Sequence, residues 1–354
     1  MNESLVKIFH AITEWFKQHK RVLPWRNHPT PYQVWVSEIM LQQTQVDVVL
    51  DYYLRWIQKF PTLKALASAD EQAVMKAFAG LGYYSRAKKM HDTAKRCVNE
   101  HGGDIPHEKE TLLQLPGIGS YTAGAILSFA FKKRAPAVDG NVLRVLSRLT
   151  GSYQSIDQEK TKKMFENLLQ ELLPQEEPEV AMEGLIEFGA LICKKKPLCS
   201  SCPIASSCVA MSTDQIDQLP VTKKKSPITK ITKNIYIYTY QNRYWIERQS
   251  PGNFNAGLYE FTDRAWEVEG HQTANLLPVR SAITTHLFTL QPKVIDLLNE
   301  EGSKNEWRTE DEIDRLPLSS AHQKIWMQVK KHARLGSYKS QEHPDRGEAL
   351  GMKD

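Results

Sequence analysis

Four of the five cysteines in the chain lie in one short stretch, "LICKKKPLCSSCPIASSCVAM", and they restrict how this part of the chain can fold. They are Cys193, Cys199, Cys202 and Cys208, and the gaps between them contain five, two and five residues. Four thiolates this close together can bind zinc or an iron–sulfur cluster. A zinc ribbon uses two close cysteine pairs, whereas here only Cys199 and Cys202 form such a pair. The spacing therefore favours one compact segment around a single cluster, which we call the cysteine loop.

The composition indicates two domains and a reducing environment. The chain has 354 residues, 41% hydrophobic and 25% charged, which is long enough for two domains with separate cores. The start, "MNESLVKIFHAITEWF", lacks the basic beginning and continuous apolar run of a signal peptide, and no later run is apolar enough to span a bilayer. We therefore expect a soluble, cytoplasmic protein without a membrane partner, in which clustered thiols stay reduced and hold metal.

The net charge of +5 is only mildly basic, so the distribution of the charge is more informative. Lysine and arginine gather in short runs at Arg86–Lys89, Lys132–Arg134, Lys194–Lys196 and Lys223–Lys225. These runs fit two interpretations equally well: an ordinary solvated surface, or a discontinuous patch that faces phosphates.

The sequence pattern differs between the two halves of the chain. Residues 1–212 show apolar residues at three- and four-residue steps, which predicts a mainly helical domain. Residues 213–230, which contain most of the stretch "DQLPVTKKKSPITKITK", have the composition of a linker. Residues 231–333 begin with "NIYIYTYQNRYWIERQ", whose alternation around "QNR" predicts a β-hairpin in a mixed α and β domain. The polar residues 334–354 are expected to form a disordered tail.

The stretch "LPGIGSYTAGAILSFAF" predicts two helices that meet at a glycine-rich turn. Gly117 and Gly119 permit a tight backbone, and the amides that open the second helix suit a phosphate. A helix corner without a ligand is the alternative. Downstream, in "PAVDGNVLRVLSRL", Asp139 precedes a helix, where an N-cap is the commoner role for aspartate.

A helix–hairpin–helix, then "VDGNVLRV" and then a cysteine loop resembles the DNA glycosylases of the endonuclease III superfamily. Within it, the chain resembles the MutY family of adenine DNA glycosylases, which remove adenine mispaired with 8-oxoguanine. The matching motifs are "LPWR", "PYQVWVSEIMLQQTQV", "GLGYYSRA", "LPGIGSYTAGAI", "VDGNVLRVLSR" and the cysteine loop. The resemblance implies a helix–hairpin–helix domain with a [4Fe-4S] cluster and an α+β Nudix-like domain. It also implies base excision repair by a monomer that binds double-stranded DNA with A:8-oxoguanine or A:G mispairs.

Removing adenine requires an acid for the base and a carboxylate beside the cationic sugar, as in glycoside hydrolysis by paired carboxylates. The resemblance assigns the acid to Glu38 and the carboxylate to Asp139, with Tyr121 bonding near both and Asn141 helping to hold the site. Glu38 lies in the apolar segment "VWVSEIML", which favours its neutral form. A solvated helix position is the alternative, and the apolar neighbours weigh against it.

Tyr121 separates two activities. In the lyase relatives of this family, a lysine at this position attacks the sugar as a Schiff base. The present chain has "GSYTA" there, which predicts a glycosylase without lyase activity. Two other functions remain open: a bifunctional glycosylase–lyase acting on oxidised pyrimidines, and a DNA-binding module without catalysis. The retention of both Glu38 and Asp139 argues against the module.

The resemblance also assigns residues that handle the extruded base and the DNA backbone. Gln43 and Tyr83 would fill the stack, although Tyr83 could be a buried core aromatic beside Tyr84. Trp25 and Arg26 would line the adenine pocket, and Leu41 would wedge beside the extruded base. In this family the first part of the cysteine loop lies on the DNA backbone, so three lysines would meet phosphates: Lys194, Lys195 and Lys196. The gap before Cys199 is one residue shorter than is usual in the family.

The C-terminal half resembles the Nudix-like recognition domain of the family. After Gly257, the sequence lacks the glutamate-rich helix that a Nudix hydrolase needs for Mg²⁺, so pyrophosphohydrolase activity is not expected. The family reads 8-oxoguanine with an aromatic, a serine and a histidine in sequence. The matching stretch "ITTHLFTL" supplies Thr284, Thr285 and His286 and lacks the aromatic. A structural role for His286 at a strand turn is the alternative.

Overall fold

A computed structural model describes residues 3–224, 226–302 and 306–341. Two compact units divide these residues. The first unit contains residues up to 77 and residues 85–224, and the second contains residues 78–84 and those from 226 onward. The short segment Phe78–Tyr84 therefore groups with the second unit, although the helices on either side of it belong to the first.

The first unit is helical, as the sequence predicts. Its α-helices are α1 (Glu3–His19), α2 (Pro31–Leu41), α3 (Val46–Lys59), α4 (Leu63–Ser68), α5 (Glu71–Phe78), α6 (Ser85–Glu100), α7 (Lys109–Leu113), α8 (Ser120–Ala125), α9 (Gly140–Thr150), α10 (Glu159–Leu172), α11 (Pro178–Leu191) and α12 (Val209–Ser212). Short 3₁₀ turns occur at Pro24–Arg26, Cys199–Ser201 and Ala205–Ser207. α1 shows why the period predicts a helix: its buried Ile8, Ile12 and Phe16 recur at four-residue steps and face the core.

The helix–hairpin–helix is confirmed between α7 and α8. The chain turns at Gly117, whose φ of +81° is a conformation that side chains with a Cβ rarely adopt. Thr93 on α6 donates to the Pro116 carbonyl at 2.8 Å and holds the turn. α8 then continues into a π-helical turn at Ile126–Ala130.

The second unit is an α+β fold, as predicted. Its strands are β1 (Thr229–Tyr240), β2 (Arg243–Trp245), β3 (Glu247–Arg248), β4 (Tyr259–Glu260), β5 (Gly270–Asn275), β6 (Val279–Ile283), β7 (His286–Leu297) and β8 (Trp307–Arg308). The main sheet has the order β5-β7-β1-β2-β8, with β6 also pairing with β7, and β3 pairs with β4. β1 and β7 run parallel, and the other pairs are antiparallel.

Two helices follow the strands, α13 (Glu310–Arg315) and α14 (Ser320–Gln341). α14 buries Ile325, Trp326 and Val329 in the same core as sheet residues such as Ile235. The predicted hairpin in "NIYIYTYQNRYWIERQ" is confirmed, because β1 and β2 pair through Tyr240 and Arg243 around a two-residue turn.

The ends of the predicted domains differ from the structure. Much of the predicted linker 213–230 packs on the first unit: Leu219 is buried, and its carbonyl accepts from Arg148 Nε at 2.9 Å. Lys225, in the middle of the linker, lies outside the described residues. α14 runs to Gln341, beyond the predicted domain end at residue 333, and the rest of the predicted tail, 342–354, also lies outside them. No helix among the described residues is long and apolar enough to cross a membrane.

Candidate active site

A pocket of about 820 Å³ opens in the first unit where α2, α8, α9 and α11 meet. Eight of the side chains predicted from the sequence line it: Trp25, Arg26, Glu38, Leu41, Gln43, Tyr121, Asp139 and Asn141. They come from segments far apart in the sequence, so the fold itself assembles them. Their roles in catalysis and DNA binding stay predictions.

Glu38 is a buried acid in the wall of this pocket. α2 starts with a capping box at Thr30 and Gln33 and buries almost every side chain that follows. Glu38 is only 6% exposed, so the alternative interpretation, in which it occupies a solvated helix position, is wrong. Burial raises the pKa of Glu38 to about 7, although the Tyr121 hydroxyl, which donates to Glu38 Oε2 at 2.6 Å, works in the opposite direction. Near neutral pH this carboxyl can therefore hold or release a proton.

Asp139 is an N-cap and also faces the pocket. Its Oδ1 accepts from the Val142 amide at 2.8 Å, and its Oδ2 accepts from Asn141 Nδ2 at 2.6 Å. Burial raises the pKa of Asp139, while these two donors favour the carboxylate. The cap fixes one oxygen and the amide fixes the other, so both are held in place at the pocket.

Arg144, which the sequence did not single out, joins this carboxylate to the cysteine loop. Its guanidinium donates to Asn141 Oδ1 at 2.7 Å and to the Cys193 carbonyl at 2.8 Å. Asn141 in turn donates to Asp139, so one chain of hydrogen bonds runs from the loop to the pocket. The only sequence signal is the three-residue spacing from Asn141 on the same helix face.

The opposite wall contains ion pairs that sequence reasoning also missed. Glu187 is 1% exposed and accepts from both Arg21 and Arg26. Burial opposes its charge, but hydrogen bonds from Arg21 and Arg26 lower the pKa of Glu187 to about 2. Arg26 Nε also lies 3.0 Å from Glu183 Oε2. The available signal is the four-residue spacing of Glu183 and Glu187 in the otherwise apolar "PEVAMEGLIEFGAL".

Arg86 fits neither interpretation of its basic run. It is 7% exposed, and its Nη1 donates to the carbonyls of Ile39 and Gln42, each at 2.7 Å. It therefore satisfies the end of α2 and cannot meet a phosphate. Gln43 follows this end with a φ of +57° and lines the pocket.

Tyr83 is not among the residues that line the pocket, and it belongs to the segment that groups with the second unit. Its ring is 42% exposed, so the alternative of a buried core aromatic is wrong for Tyr83. The neighbouring Tyr84 is the buried one, at 5%.

The hairpin glycines present open backbone. A Cβ built on Gly119 would meet nothing within 4 Å, whereas one built on Gly117 would lie 3.1 Å from Lys89 Cβ. Gly119 caps α8, and the next residue, Ser120, donates to Glu166 at 2.7 Å. The surface at Gly119 is therefore accessible to another chain.

All four cysteines of the cysteine loop line one small cavity with apolar walls. Arg148, only 2% exposed, donates to the carbonyls of Lys194 and Lys195 at 2.7 and 3.1 Å. The backbone of this segment thus faces the protein, while the side chains of Lys194, Lys195 and Lys196 are exposed.

The four thiols form one donor set around a shared cavity. Within the described part of the chain, no three His, Cys, Asp or Glu side chains group closely enough to hold one metal ion. An iron–sulfur cluster is a larger body, so its thiolates stand farther apart, around a shared cavity. Burial raises the pKa of Cys202 to about 11, and the other three cysteines add to this through their charges. Four sulfurs that act on one another across an apolar cavity are a suitable donor set for an iron–sulfur cluster.

Thr285 and His286 belong to the second unit. Ile283 pairs with His286, so Thr284 and Thr285 form a two-residue turn between β6 and β7. The Thr285 carbonyl accepts from the Thr229 amide at 2.8 Å. His286 begins β7, as the structural alternative predicts, while its role in reading a base stays a prediction.

Comparison with known proteins identifies the family of the chain. Residues 36–175 match the family described as "HhH-GPD superfamily base excision DNA repair protein". The adenine DNA glycosylase of Mus musculus is 41% identical over 268 residues, covering 72% of this chain and 50% of that protein. The adenine DNA glycosylase of Buchnera aphidicola subsp. Baizongia pistaciae is 34% identical over 255 residues, covering 71% of each. The chain spans about half the length of the mouse and rat relatives.

Solved structures resemble the first unit. A thermostable thymine-DNA glycosylase superposes with a TM-score of 0.56 at 27% identity, covering 60% of this chain and 98% of the other. Endonuclease III in a non-covalent DNA complex superposes with a TM-score of 0.53 at 23% identity, with the same coverage. The second likeness shows the fold alone.

Proposed function

Because the chain belongs to the adenine DNA glycosylase family of helix–hairpin–helix base excision repair proteins, we propose that it hydrolyses the N-glycosidic bond of adenine in duplex DNA. The observation that carries the proposal is the grouping of Glu38, Tyr121 and Asp139 in one pocket. The substrates we propose are adenines mispaired with 8-oxoguanine or with guanine.

The carboxyl groups of Glu38 and Asp139 divide the chemistry. Protonated Glu38 donates its proton to N7 of the leaving adenine as the C–N bond breaks and its electron pair moves to the base. The carboxylate of Asp139, which accepts hydrogen bonds from two donors, stabilises the cationic sugar. Water then adds to the sugar carbon and releases a proton. A pKa of about 7 suits Glu38 to this role, because the acid must be protonated near neutral pH and must also give up the proton.

The pocket supports hydrolysis and not lyase chemistry. The described residues that line it include no lysine, and the chain has Tyr121 at the sequence position where the lyase relatives have a lysine. A Schiff base needs a primary amine at the sugar. The expected product is therefore free adenine and an abasic site in an uncut strand.

Adenine in a duplex must be extruded before it can reach this pocket. Trp25, Arg26 and Leu41 line the pocket and would contact the extruded base, while Gln43 and Tyr83 would fill the stack. The ion pairs of Arg26 with Glu183 and Glu187 keep its guanidinium in place. The exposed lysines at 194–196 and the open backbone at Gly119 would meet phosphates.

A [4Fe-4S] cluster held by the four cysteines of the cysteine loop completes the proposal. The bound cluster supplies a brace that fixes the loop, and no step of the reaction passes through it. Arg148 already holds the carbonyls of Lys194 and Lys195, so the loop presents its lysine side chains to solvent. The gap before Cys199 is one residue short of the usual family spacing, and it lies in this exposed segment. We expect the protein to act as a monomer.

The second unit is proposed to read the base opposite adenine. 8-Oxoguanine differs from guanine by a carbonyl at C8 and a hydrogen at N7. The Thr285 hydroxyl can accept from that N–H, and His286 lies beside it at the start of β7. A preference for 8-oxoguanine over guanine follows if these groups contact the lesion.

Base release from defined duplexes tests the proposal. Adenine opposite 8-oxoguanine, guanine, cytosine or thymine is incubated with excess full-length protein, and free adenine is quantified. We expect release opposite 8-oxoguanine and guanine, without strand cleavage and without covalent trapping by borohydride. Trapped protein–DNA adducts would support the glycosylase–lyase instead, and tight binding without release would support the non-catalytic module.

A further inference from the structure

Phe254 is a solvent-exposed aromatic residue of the second unit. It is 60% exposed, on the connection between β3 and β4, next to Gly252 with its φ of +97°. Covering a phenylalanine stabilises a protein, yet single exposed apolar residues are common and need no ligand. The surroundings of the ring therefore decide whether it has a purpose.

The ring is part of an aromatic surface. Its centroid lies 5.4 Å from the His286 ring and 6.1 Å from the Phe288 ring, and these two rings are themselves 6.1 Å apart at an interplanar angle of 24°. We call this set of three rings the Phe254 patch. Phe254 and Phe288 also line a cavity of about 560 Å³ in the second unit, so the patch borders a space that a planar ligand can enter.

The turn beside the patch has a strained backbone, and the patch itself contains an unsatisfied ring nitrogen. Thr284 has a φ of +52°, an unfavourable conformation for a β-branched residue. His286 Nδ1 is buried and has no hydrogen-bond partner in the part of the chain that the structure describes. Backbone strain and an unsatisfied buried nitrogen are features that persist where they serve binding.

A flat aromatic face next to hydroxyl and imidazole groups matches the chemistry of a nucleobase. Bases stack on aromatic rings through their faces and form hydrogen bonds through their edges. Sequence reasoning found hydroxyl and imidazole groups at Thr285 and His286 and no aromatic at Thr284. The structure brings an aromatic to the same place from another loop.

We propose that Phe254 is the stacking residue of a nucleobase-binding surface, with Thr285 and His286 at the edge of the base. The base is the purine opposite the excised adenine, so this inference rests on the function proposed above. Phe254 supplies the face and the β6–β7 turn supplies the selectivity, because a stacking ring accepts any base.

The test compares affinities of full-length protein for three duplexes that carry a non-hydrolysable adenine analogue. The position opposite the analogue is 8-oxoguanine, guanine or an abasic site. Loss of a stacking ring weakens nucleic-acid binding about five- to 150-fold per base. We expect Phe254→Ala to weaken binding to both base-containing duplexes by a factor in this range. Binding to the abasic duplex should be unchanged, since it offers no base to stack.

Two further variants separate stacking from a structural effect. Phe254→Tyr keeps the ring and should bind like the unaltered protein. Leu277→Ala removes another exposed apolar side chain of the same unit, 75% exposed, and should change none of the three affinities. Because Phe254 is exposed, the melting temperature of Phe254→Ala should stay unchanged.

Equal loss by Phe254→Ala on all three duplexes, or no loss on any, would overturn the inference. Suppose that the unaltered protein binds the 8-oxoguanine duplex and releases adenine from a cleavable duplex, and that Phe254→Ala binds all three duplexes with unchanged affinity. This result refutes the stacking role alone. An unaltered protein that releases no adenine refutes the proposed function itself.

Discussion

The hydroxyl of Tyr121 should set the pH at which adenine release declines. It donates to Glu38 Oε2 at 2.6 Å and lowers the pKa of Glu38, which burial raises to about 7. Since the proposed function uses Glu38 as a protonated acid, release should fall as the pH rises through this value. Tyr121→Phe removes the donor without changing the ring, so the carboxylate is destabilised and the decline should move to higher pH.

The size of this movement follows from the hydrogen bond. A hydrogen bond to a charged group contributes about 1.5–3 kcal/mol, and one pKa unit corresponds to about 1.4 kcal/mol. The Tyr121 hydroxyl also bonds to the neutral form of Glu38, so its removal destabilises both forms. We therefore expect a change in free energy at the lower end of this range. The decline should therefore move from about pH 7 to about one unit above it.

The assay is single-turnover release of adenine from an A:8-oxoguanine duplex between pH 5 and 9. Tyr153→Phe is the matched control, because it removes a hydroxyl from an exposed tyrosine that donates to Gln218. The control should keep the unaltered profile, and Glu38→Gln should release almost no adenine at any pH, because an amide has no acidic proton to donate. A decline at the same pH in Tyr121→Phe and in the unaltered protein would refute the reasoning.

Three further outcomes are expected. The pKa of Glu38 rises from 4.5 to about 7 on folding, so its contribution to stability is complete below pH 4.5 and is lost as the pH rises through 7. In urea unfolding at pH 8, Glu38→Gln should therefore be more stable by about 2–3 kcal/mol, and equal stability would contradict the burial argument. Anaerobically purified protein should contain about four iron atoms and matching sulfide, which Cys202→Ser should lose, whereas stoichiometric zinc would refute the cluster. Thr285→Val should reduce the preference for 8-oxoguanine over guanine in single-turnover release, and an unchanged ratio would exclude its hydroxyl as a reader.

The sequence predicted features that depend on local pattern. The helical period identified α1, and the turn at Gly117 identified the hairpin, because each is determined by a few neighbouring residues. The apolar flanks of Glu38 predicted a buried acid for the same reason. For Asp139, the sequence left an N-cap and a catalytic carboxylate as alternatives, and the structure shows an N-cap that also faces the pocket.

The remaining features depend on contacts between distant segments. Arg86 looks like part of a basic surface, but carbonyl groups at the end of α2 bind it in the interior. Arg144 and Arg148 connect α9 to the cysteine loop through backbone carbonyls, which leave no signal in side-chain identity. The pairing of Glu187 with Arg26 spans most of the first unit. The Phe254 patch likewise joins the β3–β4 connection to strand β7, which no local pattern relates.

The central claim is that one pocket uses Glu38 and Asp139 to release adenine, and Asp139→Asn tests it most directly. The side-chain oxygen of the asparagine can still accept from the backbone N–H of Val142, so the fold and mismatch binding should persist. The negative charge that faces the cationic sugar is lost. Free adenine and duplex affinity are measured for the same preparations on an A:8-oxoguanine duplex. We expect unchanged affinity and release slowed by at least about 10²–10³-fold. Release at the unaltered rate by folded Asp139→Asn protein would contradict the account.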